Sequence, residues 1–82
     1  MPRYDLQFVL SAYNLNIDTL RNNLREFGEN LEVEELTKNN PGDYCDFQVR
    51  ISTLEPTLIF DSCSAIGRIK SVKIEEKKEA GY

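Results

Sequence analysis

Along this chain the spacing of apolar residues shifts from two to three-or-four and back again, twice, and that rhythm restricts the fold to strands alternating with helices. Tyr4, Leu6, Phe8 and Leu10 alternate with Asp5, Gln7 and Val9, the period of a strand buried on one side. Ser11 to Asn16 reads as loop. Asn16 stands where an N-cap belongs, because its side-chain oxygen can accept from first-turn N–H groups. Ile17, Leu20, Leu24 and Phe27 then recur at helical spacing, with Arg21, Asn22, Arg25 and Glu26 between them. Gly28 follows the last apolar residue and suits the left-handed position just past a helix end.

Leu31 and Val33 alternate with Glu32 and Glu34, which predicts a shorter second strand. Lys38 to Asp43 reads as a turn, since Asn, Pro, Gly and Asp each favour turn geometry. From Tyr44 to Ser52 a third strand turns Cys45, Phe47, Val49 and Ile51 inward and Tyr44, Asp46, Gln48 and Arg50 outward. Pro56 suits the first turn of a helix, where a missing N–H costs nothing. That helix carries Ile59, Phe60, Cys63 and Ile66 inward and ends at Gly67. Ile69 to Glu75 forms the last strand, with Val72 and Ile74 as its inward pair, and Glu76 to Tyr82 reads as a frayed tail beyond a single domain spanning about residues 3–76.

Strand, helix, strand, strand, helix, strand is the order of a ferredoxin-like α+β sandwich. Two amphipathic helices on one face of a four-stranded antiparallel sheet bury both apolar stripes at once. With 82 residues there is room for one core, and a domain of this size has little stability to spare, which leaves oligomerisation or packing on a neighbouring domain open to it.

The charge balance narrows the partners. Ten Lys and Arg against fourteen Asp and Glu leave a net charge of −4, whereas a duplex-binding protein shows a basic footprint. Lys70, Lys73, Lys77 and Lys78 are interleaved with Glu75, Glu76 and Glu79 and read as a solvated strand end. RNA recognition on this topology uses aromatic stacking platforms on the central strands. Here Phe47 shares the buried parity, and Asp43 and Asp46 would repel phosphate, so nucleic acid is set aside.

Cys45 and Cys63 are too far apart for a C-x-x-C pattern, and both have core parity. Histidine is absent, which removes the commonest general base and metal ligand. No carboxylate pair, phosphate-cradling glycine loop or nucleophile–base set is apparent, so no catalytic residue, cofactor or metal is expected. No apolar run approaches the ~18 residues of a membrane span, and residues 1–15 carry no signal-peptide core. The chain reads as cytoplasmic, with reduced thiols.

What remains is the sheet face that the helices leave uncovered. Alternation gives it Asp5, Gln7 and Val9 from the first strand and Tyr44, Asp46, Gln48, Arg50 and Ser52 from the third. The second strand adds Glu32 and Glu34, and the last adds Ser71, Lys73 and Glu75. Asp5, Gln7, Tyr44, Gln48, Arg50 and Ser52 are the candidate partner-binding residues, with Asp5, Gln7 and Arg50 expected to converge where the first and third strands meet. The alternatives are a solvated polar face and a modest Asp–Arg cross-strand ion pair.

Across about residues 3–76 the chain resembles a segment in the C-terminal half of the fatty acid kinase A subunit family, which are dihydroxyacetone-kinase-like proteins. The stretches that carry this are Tyr4 to Leu10, Ile17 to Arg21 with Leu24, and Phe27-Gly28-Glu29-Asn30-Leu31-Glu32-Val33. Val49-Arg50-Ile51-Ser52-Thr53 followed by Pro56, and Gly67 to Glu75, continue it. The family's third strand carries a His-x-His-Thr run, where this chain has Arg50 and Ser52. The cysteine and glutamate of its first strand become Asp5 and Gln7. All four departures fall on one sheet face, so a metal or polar site that the family keeps there does not carry over, and its nucleotide-binding domain is not among these residues. The resemblance implies a non-catalytic module that docks an acyl-carrying protein or a neighbouring domain.

The first expectation is therefore a protein-binding accessory domain, using the open sheet face or an edge strand. Edge strands also offer homodimer formation, with Glu34 and Glu35 as partial gatekeepers. The second expectation is a small-molecule-sensing regulatory domain of the ACT type, which shares the element order. That type places its ligand at a glycine-containing loop after the first strand, and here Ser11 to Asn16 has no glycine.

Overall fold

The structure is a computed structural model that describes residues 3–37 and 44–77. Its elements are β1 (Arg3–Tyr13), α1 (Ile17–Leu24) running into a 3-10 turn at Arg25–Phe27, β2 (Glu29–Thr37), β3 (Tyr44–Thr53), α2 (Pro56–Ile66) and β4 (Arg68–Lys77). The four strands form one sheet in the order β2-β3-β1-β4, antiparallel at every pairing. This is the expected ferredoxin-like α+β arrangement.

One core explains the arrangement. Leu6, Phe8 and Leu10 of β1 and Phe47, Val49 and Ile51 of β3 meet Leu20 and Leu24 of α1 and Ile59 and Cys63 of α2. Burial of such side chains stabilises by about 1.5–3 kcal/mol each, so both helices are held to the same side of the sheet. Phe8 and Phe60 pack with tilted rings 5.6 Å apart. Asn16 caps α1 as its position predicts, accepting from the backbone N–H of Asp18 at 2.7 Å.

Several local expectations are corrected. Ser11 to Tyr13 is strand rather than loop, because Ser11 has ladder partners on both sides, in β3 and β4, and Ala12 is buried. Gly28 is not left-handed: its φ is −174° and its ψ −170°, extended backbone open to any residue. Glycine is needed there for room, since a Cβ would run into the Ser52 carbonyl oxygen and come within 2.8 Å of Ile51. Gly67 is likewise extended, and a Cβ there would meet the Ser11 carbonyl oxygen and Ala12.

The last strand departs most. Ile69 registers with Leu10 and Ile74 with Leu6, yet Gln7 to Val9 on β1 spans Lys73 to Lys70 on β4, one residue more. Ser71 takes φ 56° at this bulge. Ile69 is thereby returned to the helix side and packs against the core. Val72 and Ile74, expected inside, are 46% and 54% exposed. They lie on the outermost strand, while α2 spends its buried residues on the β1–β3 core. Glu76 and Lys77, expected to fray, register with Tyr4 and Arg3. The predicted turn at 38–43 and the tail at 78–82 lie outside the described residues.

Candidate functional site on the uncovered sheet face

The face away from the helices is built on the β1–β3 ladder. Along it Asp5 faces Ser52, Gln7 faces Arg50, Val9 faces Gln48, Ser11 faces Asp46 and Tyr13 faces Tyr44. All six sequence-predicted residues are therefore on these two strands. Outside them, Lys73 registers with Gln7 and Glu75 with Asp5 from β4, while Glu32 registers with Arg50 and Glu34 with Gln48 from β2.

Asp5, Gln7 and Arg50 converge as expected, lining one shallow depression, but only two of the three are directly paired across the strands. Gln7 and Arg50 are direct neighbours. Asp5 turns instead to Ser52, whose hydroxyl donates to its Oδ1 at 2.6 Å, and to Lys77, whose Nζ lies 3.0 Å from Oδ2. The Ser52 hydrogen bond first, and Lys77 second, hold the Asp5 carboxyl below its ordinary value, while Asp5 pushes the Lys77 ammonium up. Among the described residues Asp5 and Arg50 do not form the cross-strand ion pair that was the alternative.

The same device recurs at the other end of the ladder with the strands exchanged. Ser11 of β1 donates to Asp46 Oδ1 of β3 at 2.5 Å, and Lys70 Nζ lies 3.7 Å from Asp46 Oδ2. The bulge at Ser71 makes this reach available, since it brings Lys70 opposite Val9 on the open face. Two serine–aspartate–lysine groups thus bracket a middle made of Gln7, Val9, Gln48 and Arg50. Sequence reasoning missed both groups: it placed Ser11 in a loop and the lysines in solvent. The signal was present in the Asp5-to-Ser11 alternation, had the strand been extended through it.

Arg50 is exposed, and none of the described carboxylates forms an ion pair with it. With Asp5, Gln7, Glu32, Lys73 and Glu75 it lines a shallow depression of about 670 Å³. The depression is open to solvent, unlike the enclosed apolar clefts that surround most small molecules. At the far end Tyr13 and Tyr44 meet edge to face, with ring centroids 5.4 Å apart, and both are more than half or about half exposed.

Chemistry elsewhere is limited. Cys63 is fully buried, and burial pushes its thiol up to about 11, so it is a poor nucleophile at neutral pH. Cys45 is half-buried with core parity. Among the described residues no group of three or more His, Cys, Asp or Glu is placed to hold a metal ion. No helix among them is long and apolar enough to cross a membrane. Comparison with known proteins gives no further guide: no family model, curated protein or solved structure matches the chain.

Proposed function

We propose that this chain is a non-catalytic accessory domain that binds a protein partner on the uncovered face of its sheet, with Arg50 and Gln7 at the centre of the contact. One observation carries the reading. The carboxylates at both ends of the β1–β3 ladder already have serine and lysine partners, whereas Arg50 in the middle presents a guanidinium with no described ion-pair partner, between two glutamine amides. Arginine at such a centre suits a partner carboxylate, which it can bind in a bidentate fork. Gln7 and Gln48 each offer a donor and an acceptor to the partner's backbone. The resemblance to the fatty acid kinase A segment would make that partner an acyl-carrying protein.

Titration calorimetry against a purified acyl-carrying protein tests this. Arg50→Glu weakens binding at least tenfold, about 1.4 kcal/mol, and Gln7→Ala weakens it less. Unchanged affinity in Arg50→Glu, with its fold intact by circular dichroism, contradicts the reading.

A further inference from the structure

The two edges of the sheet are not alike. β2 is interrupted by two register irregularities, carries Asn30 at φ 56° and lines its length with Glu32, Glu34 and Glu35. Bulges and charges of this kind discourage strand pairing. β4 has one bulge near its start, and from Lys73 to Lys77 its ladder to β1 is unbroken. Its outer backbone groups therefore form a regular edge beside two exposed apolar side chains, Val72 and Ile74. On the helix side Ile74 opens onto a mainly apolar shelf shared with Tyr4, Leu54, Pro56 and Leu58.

We infer that β4 pairs antiparallel with the β4 of a second copy of this chain, with Ile74 on the two-fold axis, giving one sheet continuous across both copies. The charge pattern selects this occupant and this register. Outward-facing N–H and C=O groups alternate along a strand, so two identical antiparallel strands can pair only with some residue facing itself. With the axis at Lys73, Lys73 faces Lys73. At Glu75, that residue faces itself and Lys73 faces Lys77, and at Glu76 two more carboxylates collide. An axis at Val72 draws the left-handed Ser71 into the ladder. At Ile74, Lys73 of each copy lies opposite Glu75 of the other on the open face, and Ile74 meets Ile74 on the helix side. Over residues 72–76 Val72 then falls opposite Glu76 and no like charges face each other, and this five-residue ladder stops short of Ser71. Opposite charges directly across a strand pair stabilise it, and like charges destabilise it. The contact leaves Gln7, Gln48 and Arg50 uncovered, so it stands or falls separately from partner binding at β1 and β3.

Sedimentation velocity over a wide concentration series tests the inference on the full chain. Wild type forms a concentration-dependent dimer. Lys73→Glu and Glu75→Lys each raise the dimer dissociation constant at least tenfold, because each sets like charges across the seam. Mixing the two variants restores association, since the acidic strand of one then faces the basic strand of the other. Ile74→Lys also weakens the dimer, and circular dichroism confirms that each variant is folded. A wild type that stays monomeric, a dimer indifferent to the single changes, or a mixture no more associated than its components would each overturn the proposal.

Discussion

Asp5 and Ser52 face each other across β1 and β3, joined by a 2.6 Å hydrogen bond, and Ser11 with Asp46 repeats the pairing with the strands exchanged. The Phe8–Val49 pair lies midway between the two. Its side chains belong to the core on the opposite face. The central ladder is thus pinned at both ends on its polar side and in the middle on its apolar side, which keeps Gln7, Gln48 and Arg50 on a rigid support.

The Asp5 group gives stability a pH dependence at both extremes. Its folded value lies below 3.8, so its contribution is complete above 3.8 and is lost as pH falls through the lowered value. Lys77 is raised above 10.5, so its share is complete below 10.5 and is lost as pH rises through the raised value. Thermal melts of wild type and Asp5→Asn should differ by a constant amount around neutral pH and converge in strong acid.

Gly28→Ala should destabilise by about 1–3 kcal/mol, the range for forcing extra volume into a packed site. The added methyl would meet the Ser52 carbonyl oxygen and the Ile51 side chain. Urea unfolding measures this. Since Gly28 is extended, an effect near zero would show that β3 moves aside.

Ser71→Gly should hold or slightly raise stability, and Ser71→Val should lower it by about 1–2 kcal/mol, because φ 56° places a Cβ against its own carbonyl. Chemical denaturation of the pair is the check. The same comparison reports whether the bulge is maintained.

Thiol labelling should separate the cysteines. Cys63 is sealed in the core, with its thiol pushed up to about 11, so in the native protein it reacts only when the fold opens. Cys45, half-buried, reacts first. Mass-resolved alkylation at mildly alkaline pH, with and without denaturant, measures the order.

Most of the architecture was legible because the core obeys its spacing. Leu6, Phe8 and Leu10 alternate, Leu20 and Leu24 recur at a helical interval, and Pro56 opens α2. What escaped is local backbone geometry. Nothing in Lys70-Ser71-Val72 announces a left-handed serine, yet that residue re-aims Lys70 towards Asp46 and lets Ile69 return to the core. Gly28 and Gly67 do stand at helix ends as read, but both are extended, and each also lets two backbones approach. Parity alone put the six candidate residues at alternating positions of two strands, and the β1–β3 register sets them along one ladder. Their partners were not legible, because which lysine reaches which aspartate depends on strand order and register, which parity does not contain.

Amide chemical-shift mapping with an acyl-carrying protein tests the central claim most directly. The account predicts a footprint running along Gln7, Val9, Gln48 and Arg50, with α1 and α2 undisturbed. A footprint centred on the helices, leaving these β1 and β3 positions unmoved, would contradict it.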